Sequence, residues 1–245
     1  MQDSRSERVR RYFDDLASGH LTGFHHAYYC RRIELALSSC QTGGKKILDV
    51  GAGTGLLYDR LSPGTDYLAC DLSGKMLDRS RIPYSQRRCG RLEDMAFPAE
   101  SFDFIFALGM SAYLGRDELE RNLHLSRDLL REGGQLIISF THAASWESRV
   151  RKVLRRYGRH FAVGRWLLAQ DFETLAYTPE EIERIRPSNL RLVRCCWLSQ
   201  SPYPANRLFP HLSFRLMDRV FPKINGSQVG KWLSPDFILF FEKEG

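Results

Sequence analysis

Ile47-Leu48-Asp49-Val50-Gly51-Ala52-Gly53-Thr54-Gly55 sets a short apolar run against a stretch in which every second residue is glycine. Residues 45–50 read as a buried strand, residues 51–55 as a tight turn, and residues 56–61 as the helix it feeds. Strand, glycine turn and helix make the first half of a βαβ unit. Glycine lets the backbone turn at positive φ and leaves no Cβ between the loop and a ligand. Asp49, at the strand end, is placed to organise the loop and to receive a ligand's ammonium group. In the dinucleotide fingerprint G-x-G-x-x-G the third glycine would fall at Leu56. The G-x-G-x-G found here therefore favours a ligand without a pyrophosphate over a dinucleotide.

The alternation continues outward from that turn. Residues 67–70 form a second strand closed by Asp71, after which Ser73 is a candidate N-cap. Residues 102–108 read as a further buried strand, residues 117–130 as an amphipathic helix, and Gly133-Gly134 as a stop before a strand over residues 135–140. Strands and helices alternating at this length imply a parallel sheet covered on both faces. Upstream, residues 8–16 and 24–37 carry apolar side chains at helical spacing. Downstream come a basic helical segment over residues 145–157, an aromatic stretch up to Tyr177, and a helix over residues 179–185 introduced by Thr178. Strands over residues 190–198 and 237–242 follow, separated by an amphipathic piece over residues 212–220.

Three segments besides the glycine turn fall in a telling order. Asp71 stands about twenty residues beyond the loop, where a carboxylate can hold ribose hydroxyls. Gly90-Arg91-Leu92-Glu93-Asp94 precedes Ser101-Phe102-Asp103, and Leu129-Leu130-Arg131-Glu132-Gly133-Gly134 leads into a strand. Together these resemble the class I, Rossmann-like methyltransferases that use S-adenosylmethionine, in their small-molecule branch, over residues 44–142. The resemblance implies an α/β, three-layer fold with a mostly parallel seven-stranded sheet and helices on both faces. It also implies an N-terminal helical lid and helical insertions after strand 5 and before the last strand. One domain would span residues 1–245: lid 1–42, cofactor half 43–142, insertion 143–188, and C-terminal strands with a substrate-side insertion 189–245.

Carried over by motif, the cofactor S-adenosylmethionine, leaving as S-adenosylhomocysteine, would be held by Asp49, Gly51, Ala52, Gly53, Gly55, Asp71, Leu72, Leu92, Glu93 and Leu108. One position departs from the pattern. Where the family commonly has an aspartate accepting from the adenine amino group, this chain has Arg91, which can only donate.

The resemblance puts the transferred methyl beside residues 108–113 and Thr141-His142. His142 is the candidate general base, because an imidazole just past a strand end titrates near neutrality. Tyr28 is the second catalytic candidate, from a set of aromatic and imidazole residues (Tyr12, His20, His25, His26, Tyr28, Tyr29) on the two opening helices. His25-His26 has no third ligand at a recognisable spacing, so no metal is expected. Leu108-Gly109-Met110-Ser111 stands where adenine methyltransferases carry an Asn/Asp-Pro-Pro-Tyr loop, and no Pro-Cys nucleophile occurs. The remaining acceptors are quinone-, porphyrin- or natural-product-like small molecules.

Composition narrows the class further. Among 245 residues, 43% hydrophobic and 27% charged are ordinary globular values, so neither disorder nor a fibrous repeat is indicated. The six cysteines form no C-x-x-C pair, and neither a secretory h-region nor a membrane-length apolar run appears, so a reduced, cytoplasmic protein is expected. The net charge of +7 is concentrated in residues 149–159. That segment reads as a solvated helical face, a clamp for an anionic substrate, or an attachment to an acidic membrane surface or RNA. A small molecule is the expected partner rather than nucleic acid, with weak peripheral membrane contact open; no residue pattern speaks to the oligomeric state. The alternatives are an RNA-modifying methyltransferase and a non-catalytic S-adenosylmethionine-binding protein.

Overall fold

β1 (Lys46–Val50) is buried at every residue but its first, as expected of a strand covered on both faces. Its side chains alternate between two cores. Leu48 and Val50 join one that takes in Leu119 and Leu123, while Ile47 joins another with Ile33 and Ala36. These facts come from a computed structural model that describes residues 5–18, 23–157, 174–198 and 209–245. The expectations for His20 and for the aromatic residues 158–173 lie outside the described residues, as do those for the side chains of His25 and His26.

β2 (Asp66–Asp71), β3 (Arg87–Cys89), β4 (Phe102–Ala107) and β5 (Leu130–Thr141) run parallel to β1. β7 (Asp236–Lys243) enters antiparallel between β5 and β6 (Leu190–Leu198), giving the order β3-β2-β1-β4-β5-β7-β6. This is the seven-stranded, mostly parallel, Rossmann-like sheet that the resemblance implies. Its strand order reverses between β1 and β4, and the crevice at such a switch point is where open α/β sheets bind ligands.

The helices are α1 (Arg5–Ser18), α2 (Gly23–Leu37), α3 (Gly74–Asp78), α4 (Arg116–Leu129), α5 (Trp146–Tyr157), α6 (Pro179–Ile185), α7 (Pro210–Ile224) and α8 (Gln228–Leu233). Ser73 caps α3 by accepting from the Met76 N–H at 3.2 Å. Thr178 and Glu181 close a reciprocal capping box at the start of α6.

Two expectations need correction. Residues 56–61 form only a 3-10 turn, Tyr58–Arg60, rather than a helix. Gly55 at φ +79° holds the chain out of helical geometry, and Pro63 leaves too few residues to start again. Gly133-Gly134 does not stop the chain before β5 but lies inside it, where the register against β4 shifts between Phe102 and Phe104. α8 was not foreseen; Ser227 caps it by accepting from the Gly230 N–H at 3.1 Å. No helix among the described residues is long and apolar enough to cross a membrane.

Candidate active site

The glycine bend forms the floor of the site. Gly51 and Gly53 stand at φ +75° and +55°, a region L side chains rarely adopt. A Cβ on Gly51 would fall 2.8 Å from Met110 Cβ, whereas one on Gly53 would meet nothing within 4 Å, so the loop's open side is at Gly53. The Asp71 carboxylate fastens the bend: Oδ2 accepts from the Gly53 N–H at 2.8 Å and Oδ1 from the Ser73 N–H at 2.7 Å. Burial pushes the Asp71 carboxyl above its ordinary value, and those two backbone donors pull against it. Asp49, 3% exposed, accepts from the Tyr67 hydroxyl at 2.6 Å. Burial raises its carboxyl to about 7; the Tyr67 bond opposes this and the nearby Asp71 adds to it.

Asp49, Gly51, Gly53, Asp71 and Met110 line one cavity of ≈ 210 Å³, roofed by α1 and α2. Val9, Phe13 and Leu16 of α1, at three- and four-residue spacing, and Tyr29, Arg32 and Ile33 of α2 face into it. The roof is tied down by named bonds. Arg5 Nε donates to the Tyr113 carbonyl at 2.9 Å, Ser73 Oγ to Asp14 at 2.5 Å, and Arg79 to the Ala17 carbonyl. Phe13 meets the Tyr113 ring edge-on at 4.9 Å between centroids.

Arg91 proves to be one of these ties. It pairs with Glu93 at 2.5 Å and with Glu118 at 3.1 Å, and donates to the Ser6 hydroxyl of α1. The residue that breaks the family pattern thus links the 3-10 turn Leu92–Asp94 and α4 to the roof.

Residues 48–138 match the model of a family described as a methyltransferase domain. Over those residues, including the glycine bend and Asp71, the chain is similar to a methyltransferase domain. Solved structures share its fold across nearly the whole chain. Magnesium protoporphyrin IX methyltransferase from Synechocystis PCC 6803, with bound S-adenosylhomocysteine, is 14% identical, with 98% of this chain and 100% of that one covered at a TM-score of 0.64. A chain from the complex of the Haloferax volcanii Trm112 methyltransferase activator with a putative methyltransferase is 16% identical, covering 95% and 98% at 0.63. The N-methyltransferase NodS from Bradyrhizobium japonicum WM9, with S-adenosylhomocysteine, is 13% identical, covering 99% and 100% at 0.60. No curated protein matches the sequence.

Of the residues expected to hold the cofactor, Asp49, Gly51, Ala52, Gly53, Asp71, Leu72, Leu92, Glu93 and Leu108 all line the cavity. Gly55 does not: a Cβ there would press on Ser80 and Ile82 at 3.0–3.1 Å, so its role is packing beneath the loop. The two catalytic candidates also stand off the cavity lining. His142 is buried with Nδ1 3.1 Å from the Ser234 carbonyl, and its ring packs 4.9 Å from Trp197. Burial lowers its pKa, with the Ser234 carbonyl pulling the other way. The Tyr28 hydroxyl donates to buried Asp236.

The motif reading missed Arg32. It is 7% exposed, lines the cavity, and pairs with Asp236 of β7 at 2.7 Å. Its Nε has no hydrogen-bond partner. A Cβ on Gly109 would sit 2.5 Å from its Nη1, so only glycine lets the guanidinium lie against the end of β4. The site fits the cofactor on these observations: an open cradle over Gly53, two carboxylates, and a buried cation with an unused donor.

Proposed function

We propose that the chain transfers the methyl group of S-adenosylmethionine to a small, largely apolar acceptor held under α1 and α2. The observation that carries this reading is the roofed cavity itself, in which Asp49, the Gly51–Gly53 edge and Asp71 share walls with Phe13, Tyr29, Met110 and Tyr113. Asp71 takes the ribose hydroxyls, and Leu72, Met76 and Leu92 offer apolar surface to the adenine ring. Asp49 takes the ammonium, and Arg32 turns its unused donor to a carboxylate. When bound, the cofactor supplies a sulfonium methyl group open to in-line displacement.

The chain's own contribution is alignment and exclusion of water, effects worth several kcal/mol in a displacement reaction. No imidazole lines the cavity among the described residues. Burial holds the Tyr113 phenol above its ordinary value, with Tyr29 adding to the effect, so it remains a hydrogen-bond donor at neutral pH. In this reading the acceptor brings an available lone pair, while His142 and Tyr28 support β5, β7 and the roof. The fit to quinone-, porphyrin- or natural-product-like acceptors rests on the apolar roof.

Calorimetric titration with S-adenosylhomocysteine tests the seat, and release of that product over an aromatic acceptor panel tests the transfer. Asp71→Ala should weaken binding at least tenfold, since charge-assisted hydrogen bonds contribute about 1.5–3 kcal/mol each. Absence of saturable binding by the unaltered chain would overturn the proposal.

A further inference from the structure

The exposed face of α5 is divided lengthwise. Trp146, Val153 and Tyr157 recur at helical spacing along one edge, and Arg149, Lys152 and Arg156 lie beside them, all exposed. Val153 and Tyr157 are 57% and 60% exposed, so this edge of the helix meets solvent rather than a core. The helix's acid, Glu147, is turned to Arg151 at 2.7 Å and does not neutralise the cationic row.

The apolar edge does not end with α5. Trp146 packs against Trp232 of α8 at 5.1 Å between ring centroids, and α8 adds Val229, 56% exposed. The next helix, α7, shows exposed Leu212 together with Arg215, Arg219 and Lys223. Among the described side chains of these three helices every exposed charge is positive.

From this arrangement we propose that α5 and α8 seat the protein on an anionic lipid surface. The Trp146–Trp232 edge enters the headgroup boundary, and Arg149, Lys152 and Arg156 lie over lipid phosphates. Two features favour a bilayer over RNA. The apolar edge includes Val153 and Val229, which cannot stack on bases. The row of cations borders that edge along its length, as in a helix lying in an interface. A lipid seat would also bring the chain to where apolar acceptors concentrate. The inference does not depend on the identity of the acceptor or on transfer taking place.

The test is co-sedimentation of the full chain with phosphatidylcholine vesicles, with and without phosphatidylglycerol, at low and high salt. Tryptophan emission is followed in the same samples. The expected result is binding to the anionic vesicles alone, a blue shift of emission, and release by salt. Arg149→Gln/Lys152→Gln/Arg156→Gln should weaken partitioning on the order of a hundredfold, and Val153→Ser/Tyr157→Ser should abolish the blue shift. Both variants alter exposed residues only and should keep the parent's thermal midpoint and S-adenosylhomocysteine affinity. Equal binding to neutral vesicles, or no binding to either, would overturn the proposal. So would tight binding to single-stranded RNA that Val153→Ser/Tyr157→Ser leaves unchanged, which would assign the face to nucleic acid.

Discussion

Gly51 and Gly53 stand two residues apart at positive φ, yet a methyl group added to each meets different surroundings. At Gly51 it strikes Met110, so substitution disturbs the protein itself. At Gly53 it enters the open cradle, so the folded chain bears only the backbone cost, about 1–2 kcal/mol for a non-glycine residue in this region. Gly53→Ala should therefore stay folded, by circular dichroism and thermal melting, while S-adenosylhomocysteine affinity falls at least tenfold in calorimetry; parent-like affinity would remove Gly53 from the seat. Motif spacing made the bend and Asp71 readable because both depend on local backbone geometry. Arg32 was not readable in that way. Its meaning arises from Asp236, 204 positions away, and from the space left by Gly109.

At the scale of elements, α1 is held over the cavity by side chains from three parts of the chain. Ser73 and Arg79 hold its C-terminal half, and Arg91 and Glu118 meet Ser6 near its start. The Arg91 side chain is over a third exposed, and ion pairs of that kind contribute at most about 1 kcal/mol. Arg91→Ala should thus speed S-adenosylhomocysteine dissociation by roughly fivefold in stopped-flow, with little change in melting temperature. A rate equal to the parent's would show that the roof opens without breaking this tie. The amphipathic spacing of α1 foretold that a helix forms, and its inward residues at positions 9, 13 and 16 follow from that spacing. That it lies over the site was implied by the family resemblance as an N-terminal lid; the ties that hold it were not legible, because they are side-chain bonds between distant segments. The 3-10 turn after Gly55 escaped for a different reason: apolar residues over six positions suit a helix or a packed turn equally.

Across the whole molecule, Asp49 adds a cost that varies with pH. Its carboxyl titrates near 4 in the unfolded chain and at about 7 when folded, so the native state holds the proton more tightly. The associated stability is complete below pH ~4 and is lost as pH rises towards about 7. Burial raises the Asp236 carboxyl to about 7 as well, so the ligand-free chain should melt roughly 5 °C lower at neutral pH than in mild acid, and Asp49→Asn should reduce that slope without abolishing it. An ammonium beside Asp49 reverses the preference, so S-adenosylhomocysteine should bind more tightly as pH rises through neutrality, with proton release detectable in buffers of different ionisation heat. A pH-independent affinity would remove Asp49 from contact with the ammonium. The sheet order and its switch point were legible from alternating strands and helices, but the union of the first helices with the last strand was not. That union has a consequence for synthesis. Asp236 anchors both Tyr28 and Arg32, so a nascent chain can complete the glycine bend long before it can fix α2 in place. On the ribosome, the α1 side of the ceiling can close first, and the α2 side is fixed only once β7 has emerged.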